Sequence, residues 1–158
     1  MTAPRSELRP SPWPRDAKAP VPRRPPTGLV RGPLVLIAED TFDTRELYEL
    51  YLTQRGFRVQ TVVDGEAAVE TALESSPDVV VLDLSMPRVD GIAATKRLKQ
   101  DPRTRHIPII ILTAYPHKAI QHGALEAGAD AFLTKPCLPE GLEQQIRKLL
   151  TSAPPRMS

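Results

Sequence analysis

Continuous apolar runs alternate along this chain with segments whose apolar residues recur every three or four positions. Leu34-Val35-Leu36-Ile37-Ala38, Val79-Val80-Val81-Leu82 and the stretch from Ile107 to Leu112 are runs of the first kind. They predict parallel strands buried on both faces. Phe57 to Val62 alternates apolar and polar, as a half-exposed strand does, and Ala131-Phe132-Leu133-Thr134 predicts a short fifth strand. The periodic segments predict five helices. The first spans 42–55, with Leu47, Leu50 and Tyr51 at helical spacing and Gly56 closing it. The second is capped by Asp64, carries Val69, Ala72 and Leu73, and stops at Ser75-Ser76-Pro77. The third covers 90–100 with Ile92 and Leu98 inward, and the fourth covers 117–127, ended by Gly128. Leu138, Leu142, Ile146 and Leu149 form the stripe of the last.

Five strands alternating with five helices predict an α/β fold, a parallel sheet covered on both faces. The amphipathic second strand and the short fifth suit sheet edges. The doubly wound, flavodoxin-like order 2-1-3-4-5 places them there, with its switch point between strands one and three. A ligand is expected in that crevice, beyond the strands' carboxyl ends.

Composition divides the 158 residues into three parts. Residues 1–31 hold eight prolines, seven Lys or Arg and only two acids, a local charge of +5, with few apolar residues. Such a segment buries too little surface to offset its ordering entropy. It reads as a disordered leader of polyproline II character, either solvated or a docking arm around Arg9-Pro10-Ser11-Pro12-Trp13-Pro14-Arg15. The folded part, 32–151, holds the core, and 152–158 read as a short tail. Beyond the leader the chain carries seventeen acids against fourteen bases, which argues against a nucleic-acid surface on the fold. One cysteine, Cys137, excludes an internal disulfide and a Cys-based zinc site and reads as a packing thiol. His106, His117 and His122 lack ligand spacing. No apolar run approaches the ~18 residues of a membrane span, and no signal-peptide core is present, so a cytoplasmic location is expected.

The predicted strand ends collect a chemical set. Glu39 and Asp40 follow strand one, Asp83 ends strand three, Thr113 follows strand four, and Lys135-Pro136 follows strand five. Three converging carboxylates repel one another, a conflict that a hard divalent cation removes. Mg²⁺ suits oxygen ligands and is commonly held by one or two carboxylates plus phosphate. Glu39 and Asp40 would anchor it, leaving Asp83 as a nucleophilic carboxylate. The Lys135 ammonium and the Thr113 hydroxyl would neutralise charge on a transferring phosphoryl group.

With Glu39-Asp40, Asp83-Leu84-Ser85-Met86-Pro87 leading to Asp90-Gly91, Thr113-Ala114 and Lys135-Pro136 in order, the chain resembles the response-regulator receiver family over about 33–150. Thirty residues separate Asp83 from Thr113 and twenty-two separate Thr113 from Lys135, intervals usual in that family. The resemblance implies that Asp83 is the phosphoacceptor of a two-component signalling system. It implies metal ligation by Glu39, Asp40, Asp83 and the Ser85 carbonyl, and a Lys135 partnered with Asp83 or its phosphoryl group. Thr113 and Phe132 match the switch hydroxyl and switch aromatic, Ala114 leaves room for the phosphoryl group, and the Lys135–Pro136 bond is expected to be cis. Ser85 and Tyr115 flank the approach of hydrolytic water. The implied partners are a sensor histidine kinase or phosphotransfer protein and a downstream protein that reads the helix 4–strand 5–helix 5 face.

Each residue alone has a plainer role. Glu39-Asp40 suits a helix start, Asp83 a turn, Thr113 a cap and Phe132 a core position. It is their joint placement at strand ends that carries the reading. No output domain is read after the last helix, so a stand-alone, chemotaxis-type regulator is expected, a signalling protein rather than an enzyme. The competing readings are a phosphorylation-independent interaction module on the same fold and an aspartyl-phosphate phosphohydrolase. The latter usually carries an acid two residues after its nucleophile, where this chain has Ser85.

Overall fold

The computed structural model describes residues 32–86 and 88–152. The leader, the tail beyond Ser152 and Pro87 of the predicted loop motif lie outside the described residues. Five strands and five helices alternate: β1 Leu34–Ala38, α1 Phe42–Gln54, β2 Arg58–Val62, α2 Gly65–Ser75, β3 Val79–Asp83, α3 Gly91–Gln100, β4 Ile109–Thr113, α4 Lys118–Ala127, β5 Ala131–Thr134 and α5 Pro139–Ser152. All pair in parallel in the order β2-β1-β3-β4-β5, as the sequence predicts.

Because successive strand residues face opposite sides, each buried run feeds two cores. Val35, Ile37, Val79, Val81, Ile110 and Leu112 meet Tyr48 and Leu52 of α1 and Leu142 and Ile146 of α5. Leu36, Ala38, Val80, Leu82, Ile109 and Ile111 face the other way, onto Ala68 and Ala72 of α2, Ala94 and Leu98 of α3 and Ala124 of α4. The edge strands β2 and β5 are only half-buried. Local signals set the helix ends: Asp64 accepts from Ala67 N–H at 2.8 Å and Asp90 from Ala93 N–H at 2.8 Å, while Gly128 closes α4 at φ 110°.

Three sequence expectations shift. Leu47 and Leu50 are 51% and 60% exposed, and α1 instead buries Tyr48 and Leu52, with Tyr51 half-buried. This helix is apolar at five of the positions 47–52, so two stripes fit its period, and the sheet beneath selects one. Leu138 is exposed and precedes α5, whose inward stripe is Leu142 and Ile146 with Leu149 packed beside them. β4 begins at Ile109 rather than Ile107, because Pro108 has no N–H for the ladder. Ile107 and Phe57, both outside their expected strands, are nonetheless core residues.

A buried carboxylate joins the two helices on one face. Glu143 of α5 accepts from the Tyr51 hydroxyl at 2.9 Å, Arg55 Nε at 3.1 Å and Arg147 Nε at 2.9 Å. Tyr51 of α1 and Arg55, the residue just beyond its end, are thereby fixed against α5 through one acid and its neighbour, since Arg147 also donates to the Arg55 carbonyl at 3.1 Å.

Candidate functional site

The central strands β1 and β3 are neighbours, yet the chain leaves β1 towards α1 on one face and β3 towards α3 on the other. Their carboxyl ends therefore border a crevice that no connection crosses. Glu39 follows β1 and is buried, with 1% exposure, and Asp83 closes β3 at 6%. Asp40 is exposed. Carboxylate oxygens of Glu39, Asp40 and Asp83 all lie within 4.8 Å of one another.

One cation faces this group. Lys135 Nζ donates to Glu39 Oε1 at 3.0 Å and lies 3.4 Å from Asp83 Oδ1. The other Glu39 oxygen accepts from Thr41 N–H at 3.0 Å, and Arg45 donates to the Glu39 carbonyl at 2.8 Å. Burial, then the Glu39 charge, push the Asp83 pKa up to about 6, with Lys135 pulling the other way. Burial opposes the Lys135 charge as well, but the Glu39 hydrogen bond and the Asp83 charge outweigh it and the Lys135 pKa is raised. A single ammonium against three carboxylates leaves excess negative charge in a shielded place. That donor set, all oxygen and all anionic, fits a hard divalent cation.

Each remaining strand-end residue takes a definite position. Thr113 is buried, and its hydroxyl accepts from Tyr115 N–H at 2.9 Å, a turn contact and not a helix cap, since the N-cap of α4 is His117. Its carbonyl accepts from Lys135 N–H at 2.7 Å, which ties the end of β4 to the segment after β5. Ala114 is exposed and borders, with Lys135 and Thr44, a groove of about 450 Å³. Phe132 is half-buried against the α2–α3–α4 core, Ser85 is exposed, and Tyr115 is 57% exposed. The Lys135–Pro136 bond is cis.

Several contributors had no role in the sequence reading, and Gly91 entered it only as part of a motif. Gly91 lies so close to the end of β3 that a Cβ would sit 2.7 Å from the Asp83 carbonyl oxygen. Gly65 similarly accommodates the Val89 carbonyl, at 1.9 Å from a would-be Cβ. Arg88, at φ 67°, pairs with Asp64, holding the loop after β3 to the cap of α2. Tyr48, which reads as one more apolar helix position, donates from its hydroxyl to the Cys137 carbonyl at 2.7 Å.

Comparison with known proteins agrees with this geometry. Residues 35–147 match the family model of the response regulator receiver domain. The chain is 37% identical over 115 residues to response regulator PleD of Caulobacter vibrioides, covering 73% of this chain and 25% of that one. Across curated relatives of this kind the chain spans from a quarter to about half of their length. Among solved structures, the signal receiver domain of a signal transduction histidine kinase from Syntrophus aciditrophicus matches with a TM-score of 0.74 and 33% identity, over 80% of this chain and 96% of that one. The receiver domain of sensor histidine kinase PA1611 from Pseudomonas aeruginosa, with a magnesium ion coordinated in its active-site cleft, matches with a TM-score of 0.72 and 30% identity, over 77% and 99%.

Proposed function

The chain belongs to the response regulator receiver domain family of two-component signalling, and on that premise we propose that Asp83 accepts a phosphoryl group from a histidine kinase or phosphotransfer protein. The observation that carries the assignment is the buried Asp83 carboxylate held between two acids and the Lys135 ammonium at the switch point. In the transfer an Asp83 carboxylate oxygen bonds to phosphorus as the bond to the donor's leaving group breaks, leaving an acyl phosphate. Lys135 stays beside the phosphoryl oxygens and balances their charge. Glu39, Asp40, Asp83 and the Ser85 carbonyl are the residues that would hold Mg²⁺, which when bound supplies positive charge to the transferring group.

The switch follows from the hydrogen bond that Thr113 makes at rest. Its hydroxyl leaves Tyr115 N–H for a phosphoryl oxygen, the loop after β4 moves with it, and Phe132 turns into the vacated space. The altered face is α4–β5–α5, read by a downstream protein. On this reading the chain signals and does not turn over a substrate, and its place is the cytoplasm beside its kinase. Among the described residues no helix is long and apolar enough to cross a membrane.

The test is intact mass after incubation with acetyl phosphate and Mg²⁺. One added phosphoryl group is expected in the wild type, and none in Asp83→Asn or after chelation. An unchanged yield in Asp83→Asn rejects the assignment.

A further inference from the structure

We infer that Tyr48 is a positioning residue for this transfer: its hydroxyl pins the segment that carries Lys135, so that α1 sets the place of the ammonium relative to Asp83. The inference rests on the function proposed above.

Lys135 is the sole cation within ion-pair distance of Asp83 among the described residues, and its reach depends on where its backbone lies. In front, Lys135 N–H is fixed to the Thr113 carbonyl at 2.7 Å. Behind, the next side-chain hold is two residues on, where Tyr48 donates to the Cys137 carbonyl at 2.7 Å across 89 residues of sequence. A groove of about 450 Å³ bordered by Thr44, Tyr48, Lys135 and Cys137 lies between α1 and this segment, while Cys137 itself packs against the core that holds Tyr48. The Tyr48 hydroxyl is the polar strut that ties α1 to the segment beside that groove. Its ring is 2% exposed and wedged in the core beneath the sheet, so the hydroxyl projects from a rigid base.

The other end of the strut is equally well placed. α1 starts three residues after Glu39, and Thr41 N–H and Arg45 bind Glu39 directly. Glu143 locks the far end of the helix to α5. One rigid helix therefore carries contacts to the metal-side acid at its start and the strut to the lysine segment one turn later. A buried hydroxyl needs a partner, and the carbonyl that Tyr48 meets belongs to the segment that carries Lys135 rather than to its own helix.

Loss of the strut lets the lysine segment relax into the groove, and small misplacements of a charge-stabilising group are costly in rate. Tyr48→Phe keeps the ring and removes only the hydroxyl. Phosphorylation by acetyl phosphate is followed over a range of Mg²⁺ concentrations up to saturation, in the wild type, Tyr48→Phe, Lys135→Ala and the double variant, with circular dichroism reporting the fold. The expected result is a limiting rate lowered about tenfold in folded Tyr48→Phe, with the Mg²⁺ concentration for half-maximal rate unchanged. In the Lys135→Ala background the second substitution should change the residual rate less than about twofold, because residues acting through one another are not additive. An unchanged limiting rate overturns the proposal, as does a full tenfold loss in the Lys135→Ala background. Unfolding of Tyr48→Phe overturns it too, since the hydroxyl would then be a requirement of the core. A wild type that takes up no phosphoryl group instead overturns the function on which the proposal rests.

Discussion

Replacing Asp83 with Asn should stabilise the metal-free protein. At neutral pH the ionised Asp83 is a buried anion whose carboxylate approaches those of Glu39 and Asp40 within 4.8 Å. Two unit charges at that distance repel by roughly 3.5 kcal/mol at an effective dielectric of about 20, and Lys135 returns part of this. The net effect is contained in the Asp83 pKa, raised by burial and then by Glu39 from 3.8 to about 6. That difference corresponds to about 3 kcal/mol against the ionised folded state. The folded protein binds the Asp83 proton more tightly than the unfolded chain does. This contribution to stability is therefore complete below the unfolded pKa and lost as pH rises through about 6. A neutral amide of the same shape escapes the loss. In chelator at pH 7.5 we expect Asp83→Asn to melt higher than the wild type by roughly 6–12 °C, for about 2–3 kcal/mol in a domain of this size. Near pH 4 the two should converge. Millimolar Mg²⁺ should raise the wild type and narrow the gap, because a ligand that binds only the folded state stabilises it. The measurement is a thermal melt by circular dichroism at the two pH values, with and without Mg²⁺. A variant that melts at or below the wild type at pH 7.5 without metal would refute the reasoning, since the strain attributed to the acidic cluster would then be absent.

Three further outcomes follow from the same contacts. Thr113→Ala should accept the phosphoryl group yet lose the gain in partner affinity, because the hydroxyl that leaves Tyr115 N–H is missing; titration of a bound partner with phosphorylated protein reads it, and an equal gain in both proteins rejects the coupling. Tyr115→Glu should speed decay of the phosphorylated protein about tenfold, equivalent to roughly 1.4 kcal/mol of barrier, by offering a carboxylate to orient water beside Asp83; equal decay after donor removal means that Tyr115 does not govern the approach. Gly91→Ala places a methyl 2.7 Å from the Asp83 carbonyl oxygen and should cost about 1–3 kcal/mol in a denaturant melt, with slower phosphorylation as the end of β3 shifts.

The strand runs and their chemical punctuation were legible without coordinates. Three short apolar runs bounded by turn signals read as strands buried on both faces, and an acid, hydroxyl or lysine at the end of each such strand falls at one edge of a parallel sheet. Helix faces were less legible where the composition was permissive. In α1 an all-round apolar stretch left the inward side undecided, and the exposed Leu47 and Leu50 follow from the sheet's position, which periodicity does not contain. Strand limits moved where one atom mattered, as with the missing N–H of Pro108.

What the sequence determined by itself is thus the fold class, the strand order and the gathering of Glu39, Asp40, Asp83 and Lys135, because these depend on patterns repeated within a few residues and on the handedness and edge rules of parallel sheets. What only the tertiary structure decided are the contacts between segments far apart in the chain. Tyr48 holding the Cys137 carbonyl, Glu143 gathering Tyr51, Arg55 and Arg147, and Gly91 admitting the Asp83 backbone all depend on contacts of 2.7 to 3.1 Å between segments that only the fold brings together. No residue type at any of those positions announces its partner, since a hydroxyl, a carboxylate or a missing Cβ acquires its meaning only from the atom the fold brings beside it.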